Sequence, residues 1–195
     1  MANQDAAFGF RPIGKVGQNR DNQGLSEYNI AASASAIFQN DPVQFLATGT
    51  IGVANTTTAV LLGSLNGVFF TDATDQKPRF ANHLAAANAA TDIVGFVSDD
   101  PYERFEVQSS TTLAIADIGL NADIVYAAGT SPNFVSKVEV DTTSGNMVST
   151  TAQFRVVGVS KDIENSSLSN ATTYAANVNV VGIINEHFLK STTGI

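Results

Sequence analysis

The 195-residue chain has no cysteine and no tryptophan, and only 14% of its residues are charged. Without cysteine there is no disulfide framework, no thiolate zinc site and no cysteine nucleophile. Ten Lys and Arg stand against eighteen Asp and Glu, a formal charge of −8. Those few cations cannot make a strong counterion-release footprint, so nucleic acid is not an expected partner. Long hydrophobic runs are missing as well. Nothing approaches the roughly 18 apolar residues of a membrane helix, and MANQDAAFGFRPIG lacks a basic stretch followed by an apolar one. The expectation is synthesis in a cytoplasm and no membrane partner. Asn-x-Ser/Thr triplets begin at Asn55, Asn165 and Asn170, as a chain rich in Asn, Ser and Thr produces by chance.

The hydrophobic fraction of 44% is enough to build a core and excludes charge-driven disorder. Much of it falls in short alternating runs. Phe105 and Val107 alternate with Glu106 and Gln108. Phe134, Val138 and Val140 share one parity, opposite Lys137, Glu139 and Asp141, and Val178, Val180 and Ile184 alternate with Asn177, Asn179 and Asn185. QFRVVGVS around Phe154 is β-branched, with Arg155 expected to face solvent. Further apolar runs surround Phe45, Leu61, Phe69, Val94, Ile115 and Ile124. Between them lie turn formers: Asn40-Asp41-Pro42, Asn66-Gly67, Asp99-Asp100-Pro101, Ser131-Pro132-Asn133 and Ser144-Gly145-Asn146. About ten short strands with such spacing predict an all-β protein, an antiparallel β-barrel or sandwich. One segment has helical composition, ANHLAAANAATD over 81–92, where a short helix and an irregular crossover fit equally well.

The first thirty residues read differently. Phe8, Gly9, Phe10, Arg11 and Pro12 form a compact cluster, and the glycine-punctuated KVGQNRDNQG follows without apolar periodicity. Residues 1–30 are therefore read as an extended N-terminal arm and 31–195 as the β-rich body. An arm with aromatic anchors needs another surface to hold them; a frayed terminus is the alternative. In the body, Phe69-Phe70 should place one ring in the core and one outside, as a partner contact or under a second layer.

Catalytic signatures are scarce. His83 and His187 are the only histidines and have no metal-ligand spacing, and no nucleophile elbow or phosphate-binding glycine motif occurs. The densest acidic stretch is DDPYERFE, holding Asp99, Asp100, Glu103 and Glu106 around Arg104. Paired carboxylates there could serve glycoside hydrolysis, but a solvated turn between strands explains them more simply. No enzymatic activity, metal or cofactor is expected.

The order of IFQNDPVQF, VGFVSDDPYERFEVQ, LAIADIGLNADIV, TAQFRVVGVSKDIEN and VVGIINEHFL, spread over 24–189, resembles the capsid decoration (cement) proteins of tailed bacteriophages, of the marine-phage type. The resemblance implies a β-rich protein on the exterior of the virion head, bound to the major capsid protein as a homo-oligomer, with a trimer favoured. The family offers no catalytic residue to transfer. The chain's own candidates for capsid contact are Phe8, Phe10, Arg11 and Pro12, and deletion of residues 1–20 is expected to abolish attachment while leaving the fold intact. The alternative is a tail- or fibre-associated β-domain that binds host glycans or a receptor, although without tryptophan as a stacking platform.

Overall fold

The computed structural model describes residues 3–17, 24–161 and 168–192. Among these the chain forms sixteen strands, several only two residues long, and two short 3₁₀ turns. The expected all-β architecture is present, and its sheets are barrel-like.

After β1 (Arg11–Lys15), which joins the second sheet, the chain builds a first sheet from β2 (Ser26–Asn29), β3 (Pro42–Phe45), β4 (Ile51–Val53), β5 (Gly63–Thr71), β6 (Pro78–Ala81) and β7 (Val94–Ser98). Its order is β2-β7-β5-β3-β4, with β6 on the far half of β5. A single bridge between Ile30 and Ile51 brings the two edges back together. Ile30, Val43, Ile51, Leu65, Val68 and Val97 fill the interior. Leu65 and Val68 both reach that interior although three residues apart, because the register slips between Leu65 and Gly67. Asn66-Gly67, expected as a turn, is instead a β-bulge within β5: the extra residue restores the inward parity.

The second sheet uses β8 (Glu103–Ser109), β10 (Asn121–Ala122), β11 (Ile124–Val125), β12 (Glu139–Val140), β13 (Phe154–Val159) and β16 (Asn179–Ile184), in the order β10-β13-β16-β8-β12-β11 with β1 on β8. The end strands β10 and β11 are separated only by Asp123, so one stretch of chain pairs with β13 on one side and β12 on the other. The sheet thereby nearly closes on itself. β9 (Leu113–Ala114), β14 (Leu168–Asn170) and β15 (Thr173–Tyr174) form a small separate sheet. Inside the barrel, Val180 and Ile184 point inward with Gly182 between them. A Cβ at Gly182 would lie 2.5 Å from the Phe154 ring and 2.1 Å from the Arg155 carbonyl, so the ring's position requires glycine there.

The two interiors meet at Leu61 and Leu62. These neighbours are both fully buried, Leu61 in the second core and Leu62 in the first, as alternate side chains of an extended segment must be. Tyr126 packs against both cores, and Phe188 reaches from the end of the chain into the first.

Residues 81–92 are an irregular crossover, not a helix. Leu84 is their one large apolar side chain; it is fully buried and exchanges backbone hydrogen bonds with Ile37. Without a second apolar position a turn later, helix would gain nothing from packing.

The N-terminal residues are not a free arm. Phe10 is fully buried in the second core, 5.7 Å from Phe105 and 5.2 Å, edge-on, from Phe154. The backbone beside it is locked: Phe10 N–H donates to the Asn40 carbonyl at 2.9 Å, and the Ser64 hydroxyl donates to the Phe10 carbonyl at 2.7 Å. Gly9 has φ +72°, and a Cβ there would meet Ser136 at 2.4 Å. β1 then pairs with β8, and β2 with β7, so the division expected at residue 30 matches no structural boundary. Residues 1–2 and 18–23 of that expected arm lie outside the described residues. The physical reason is apolar area: a phenylalanine flanked by backbone donors and acceptors is more stable inside the chain's own barrel than waiting for a partner. Phe10→Ala should therefore cost about 3–5 kcal/mol of folding stability, read from denaturant melts. Deletion of residues 1–20 should destabilise the fold rather than leave it intact.

Candidate interaction surface

The groups that could carry chemistry are engaged in structure. His83 stacks face to face on Phe134 at 3.9 Å, and burial holds its pKa below the usual histidine value. His187 is buried, and its Nδ1 accepts the Leu189 N–H, capping the 3₁₀ turn Phe188–Lys190. Among the described residues no three His, Asp or Glu side chains assemble into a possible metal site.

The DDPYERFE stretch does turn between β7 and β8, but it is less solvated than expected. Glu103 and Glu106 are only 7% and 6% exposed. Glu103 accepts the Gly14 N–H and Glu106 pairs with Arg11, both from β1. Asp100 pairs with Lys15 at 2.5 Å, and Asp99 accepts the Tyr28 hydroxyl at 2.6 Å. These carboxylates hold the N-terminal strand and β2 in place.

Of the four residues expected to contact a capsid, Phe10 is withdrawn into the core and cannot reach a partner. Phe8 is half-buried, with its carbonyl bonded to the Asn40 amide. The Arg11 guanidinium lies 4.5 Å from the Phe8 ring centroid while pairing with Glu106, and its side chain remains half exposed. Pro12 is exposed. Arg11 and Pro12 thus stay at the surface, on a strand that is fixed.

A larger apolar feature lies on the first sheet. Phe70 packs toward its core, and Phe69 faces outward. Phe69 opposes Phe80 of β6 in register, and Phe96 of β7 shares their face. The Phe80 ring lies 4.9 Å from Phe69 and 6.4 Å from Phe96, and Phe80 is 77% exposed. The hairpin carrying Phe80 is braced by Arg79, whose guanidinium pairs with Asp72 and Asp75, each at 2.9 Å. Pro78 starts its edge strand, where a missing N–H costs no ladder bond. The sequence reading singled out Phe69 but not Phe80 or Phe96. They come together only across strands: Phe80 lies opposite Phe69, and Phe96 lies opposite Gly67, two residues before Phe69, so the cluster is visible only once the pairing is known.

The chain matches no known protein-family model, no curated protein and no solved structure. What is established is the class: an all-β protein with two packed cores and a three-ring aromatic cluster whose Phe80 is exposed.

Two buried titratable groups each leave one side-chain atom without a well-formed hydrogen bond among the described residues. Asp41 is fully buried; its Oδ2 accepts the Phe38 N–H at 2.8 Å while Oδ1 has no partner. Burial pushes its carboxyl up to about 6, against the Ser136 hydroxyl and the Phe38 N–H. His187 Nε2 has no well-formed hydrogen bond among the described residues, and burial, reinforced by Lys190 and opposed by Asp99 and Asp100, pushes the ring down to about 4. The signs oppose. A raised carboxyl stabilises fully below its unfolded value near 3.8 and loses that contribution as pH rises through 6. A depressed histidine stabilises fully above 6.5 and loses its contribution as pH falls through 4. Each amounts to about 3 kcal/mol. Relative to the parent, Asp41→Asn should gain stability as pH rises from 4 to 7. His187→Gln should be at its greatest disadvantage at pH 7 and narrow the gap toward pH 4. Denaturant melts across that range check both.

Proposed function

We propose that this chain is a structural protein of the tailed-phage virion, bound to the outside of the head, where it stabilises contacts between major capsid subunits. The observation that carries the reading is the Phe69–Phe80–Phe96 face, where an exposed Phe80 ring rests on two half-buried ones and its hairpin is ion-paired through Arg79. Aromatic rings presented on fixed strands lose little conformational entropy on docking and are typical of the few residues that dominate interface energy. The resemblance in sequence order to decoration proteins supplies the partner, the major capsid protein. The all-β body and the engagement of its carboxylates and histidines in packing accord with a structural role. Association as a homo-oligomer, a trimer in the family resembled, would multiply a modest single contact through multivalency.

In this reading the purified protein cosediments saturably with expanded heads, binds unexpanded heads poorly, and raises the heat resistance of heads that lack it. Phe80→Ser should weaken head binding by about 30-fold or more, while changing folding stability by less than about 1 kcal/mol, because the ring is mostly exposed. Failure of the parent protein to sediment with expanded heads overturns the proposal, and specific retention on a glycan array would replace it with the glycan-binding alternative.

A further inference from the structure

Three of the chain's five Arg residues gather on one outer face of the second barrel. Register places Arg155 of β13, Ile183 of β16 and Arg104 of β8 in a single row across three adjacent strands. The neighbouring row carries Val181, Glu106 and Arg11. These positions alternate with Phe105, Val107, Val156, Val180 and Ile184, which point into the core, so the rows face outward. A shallow groove beside them is lined by Ile13, Arg104, Val157, Val181 and Lys161, among others. Ile13 and Val157 are 47% and 52% exposed.

The charge on this face is the reverse of the chain's. Glu106 is its one acidic side chain in the two rows, and it is buried and neutralised by Arg11. Arg155 is held forward by hydrogen bonds to the side-chain oxygens of Asn121 at 2.9 Å and Asn185 at 2.7 Å, neither of which cancels its charge. Arg104 is exposed, and among the described residues it makes no ion pair. Guanidinium groups set among exposed aliphatic side chains suit a protein interface, where arginine packs through its plane and pairs with carboxylates. A nucleic acid strand is less well matched: no exposed aromatic ring is interleaved here, and a net charge of −8 repels a polyanion at long range.

We propose that the Arg104–Ile183–Arg155 row is a second docking face, which takes a carboxylate-bearing surface of the capsid. This rests on the head-binding reading and deepens it. The aromatic face belongs to the first barrel and the basic face to the second, so one chain has two chemically distinct contacts, as bridging two capsid subunits requires. Their effects on binding are separable: the first is apolar and insensitive to salt, whereas the second weakens as salt rises.

The test measures binding of the full chain to purified expanded heads at low and raised salt. It compares the parent, Arg104→Glu, Arg104→Glu/Arg155→Glu, and Phe80→Ser. Among the described residues the Arg104 side chain makes no hydrogen bond or ion pair, so Arg104→Glu remains informative if the double variant misfolds. The expected result is a loss of about tenfold or more for Arg104→Glu at low salt, with the gap to the parent closing as salt rises, while Phe80→Ser keeps the parent's salt dependence. If the parent binds heads and Arg104→Glu binds equally well, the second face is overturned and the head reading stands. If the parent does not bind heads, both fall. Two further measurements can also overturn the assignment: a smaller oligomer for Arg104→Glu in sedimentation, which would make the face a contact between copies, or parent binding to a labelled oligothymidine that Arg104→Glu abolishes.

Discussion

Phe10 lies between Phe105 and Phe154, and much of the molecule depends on that wedge. It fills the second barrel where no tryptophan is available, and it brings β1 alongside β8. That pairing in turn brings Arg11 onto Glu106, Gly14 onto Glu103 and Lys15 onto Asp100. Two of those carboxylates are nearly inaccessible to water, and such groups are costly unless they find cationic or hydrogen-bonding partners. The wedge and the ion pairs are therefore mutually dependent. Without the ring, the strand that satisfies the carboxylates has no anchor; without the strand, the carboxylates are stranded in a closed site. The Gly9 backbone, pressed against Ser136 and Asn40, leaves no room for another residue at the point of entry.

The all-β class was legible because alternation is a direct consequence of strand geometry. Val180 and Ile184 in the core, Arg155 at the surface, and the outward turn of Phe69 against an inward Phe70 all follow from parity. What parity does not carry is which strand lies beside which. Glu106 and Gln108 occupy the polar positions of β8 and look solvent-facing in the sequence. Both are buried, because Arg11 lies against Glu106, and Gln108 is bonded to the backbone of Gln4, Ala6 and Asn177. The same information was missing for Phe10. Its neighbours Gly9 and Pro12 give no apolar period, so the segment reads as loop, and only the distant Phe105 and Phe154 make it core. Asn66-Gly67 misled for a related reason: the dipeptide that favours a tight turn also favours a bulge, and the choice is made by β7 and β6 pairing on both sides of β5.

The candidate surfaces were legible in part. Arg11 and Pro12 are exposed as expected, yet they sit on a strand whose position is set from within. The aromatic face combines three strands, and the basic row combines three others. Neither is contiguous in sequence. Each was hidden because its members stand at single outward positions among otherwise ordinary strand residues, and a cross-strand row has no signature along one strand.

Leu61 and Leu62 give the molecule a mechanical property. Successive residues of one extended segment anchor in different cores, so tension applied between the outer faces of the two barrels passes through a covalent backbone with a buried leucine on each side. Separating the barrels would require pulling one of those side chains through close-packed interior. Tyr126, which contacts both cores, lies across the same junction. A link that resists extension in this way carries load as a stiff tie rather than as a hinge.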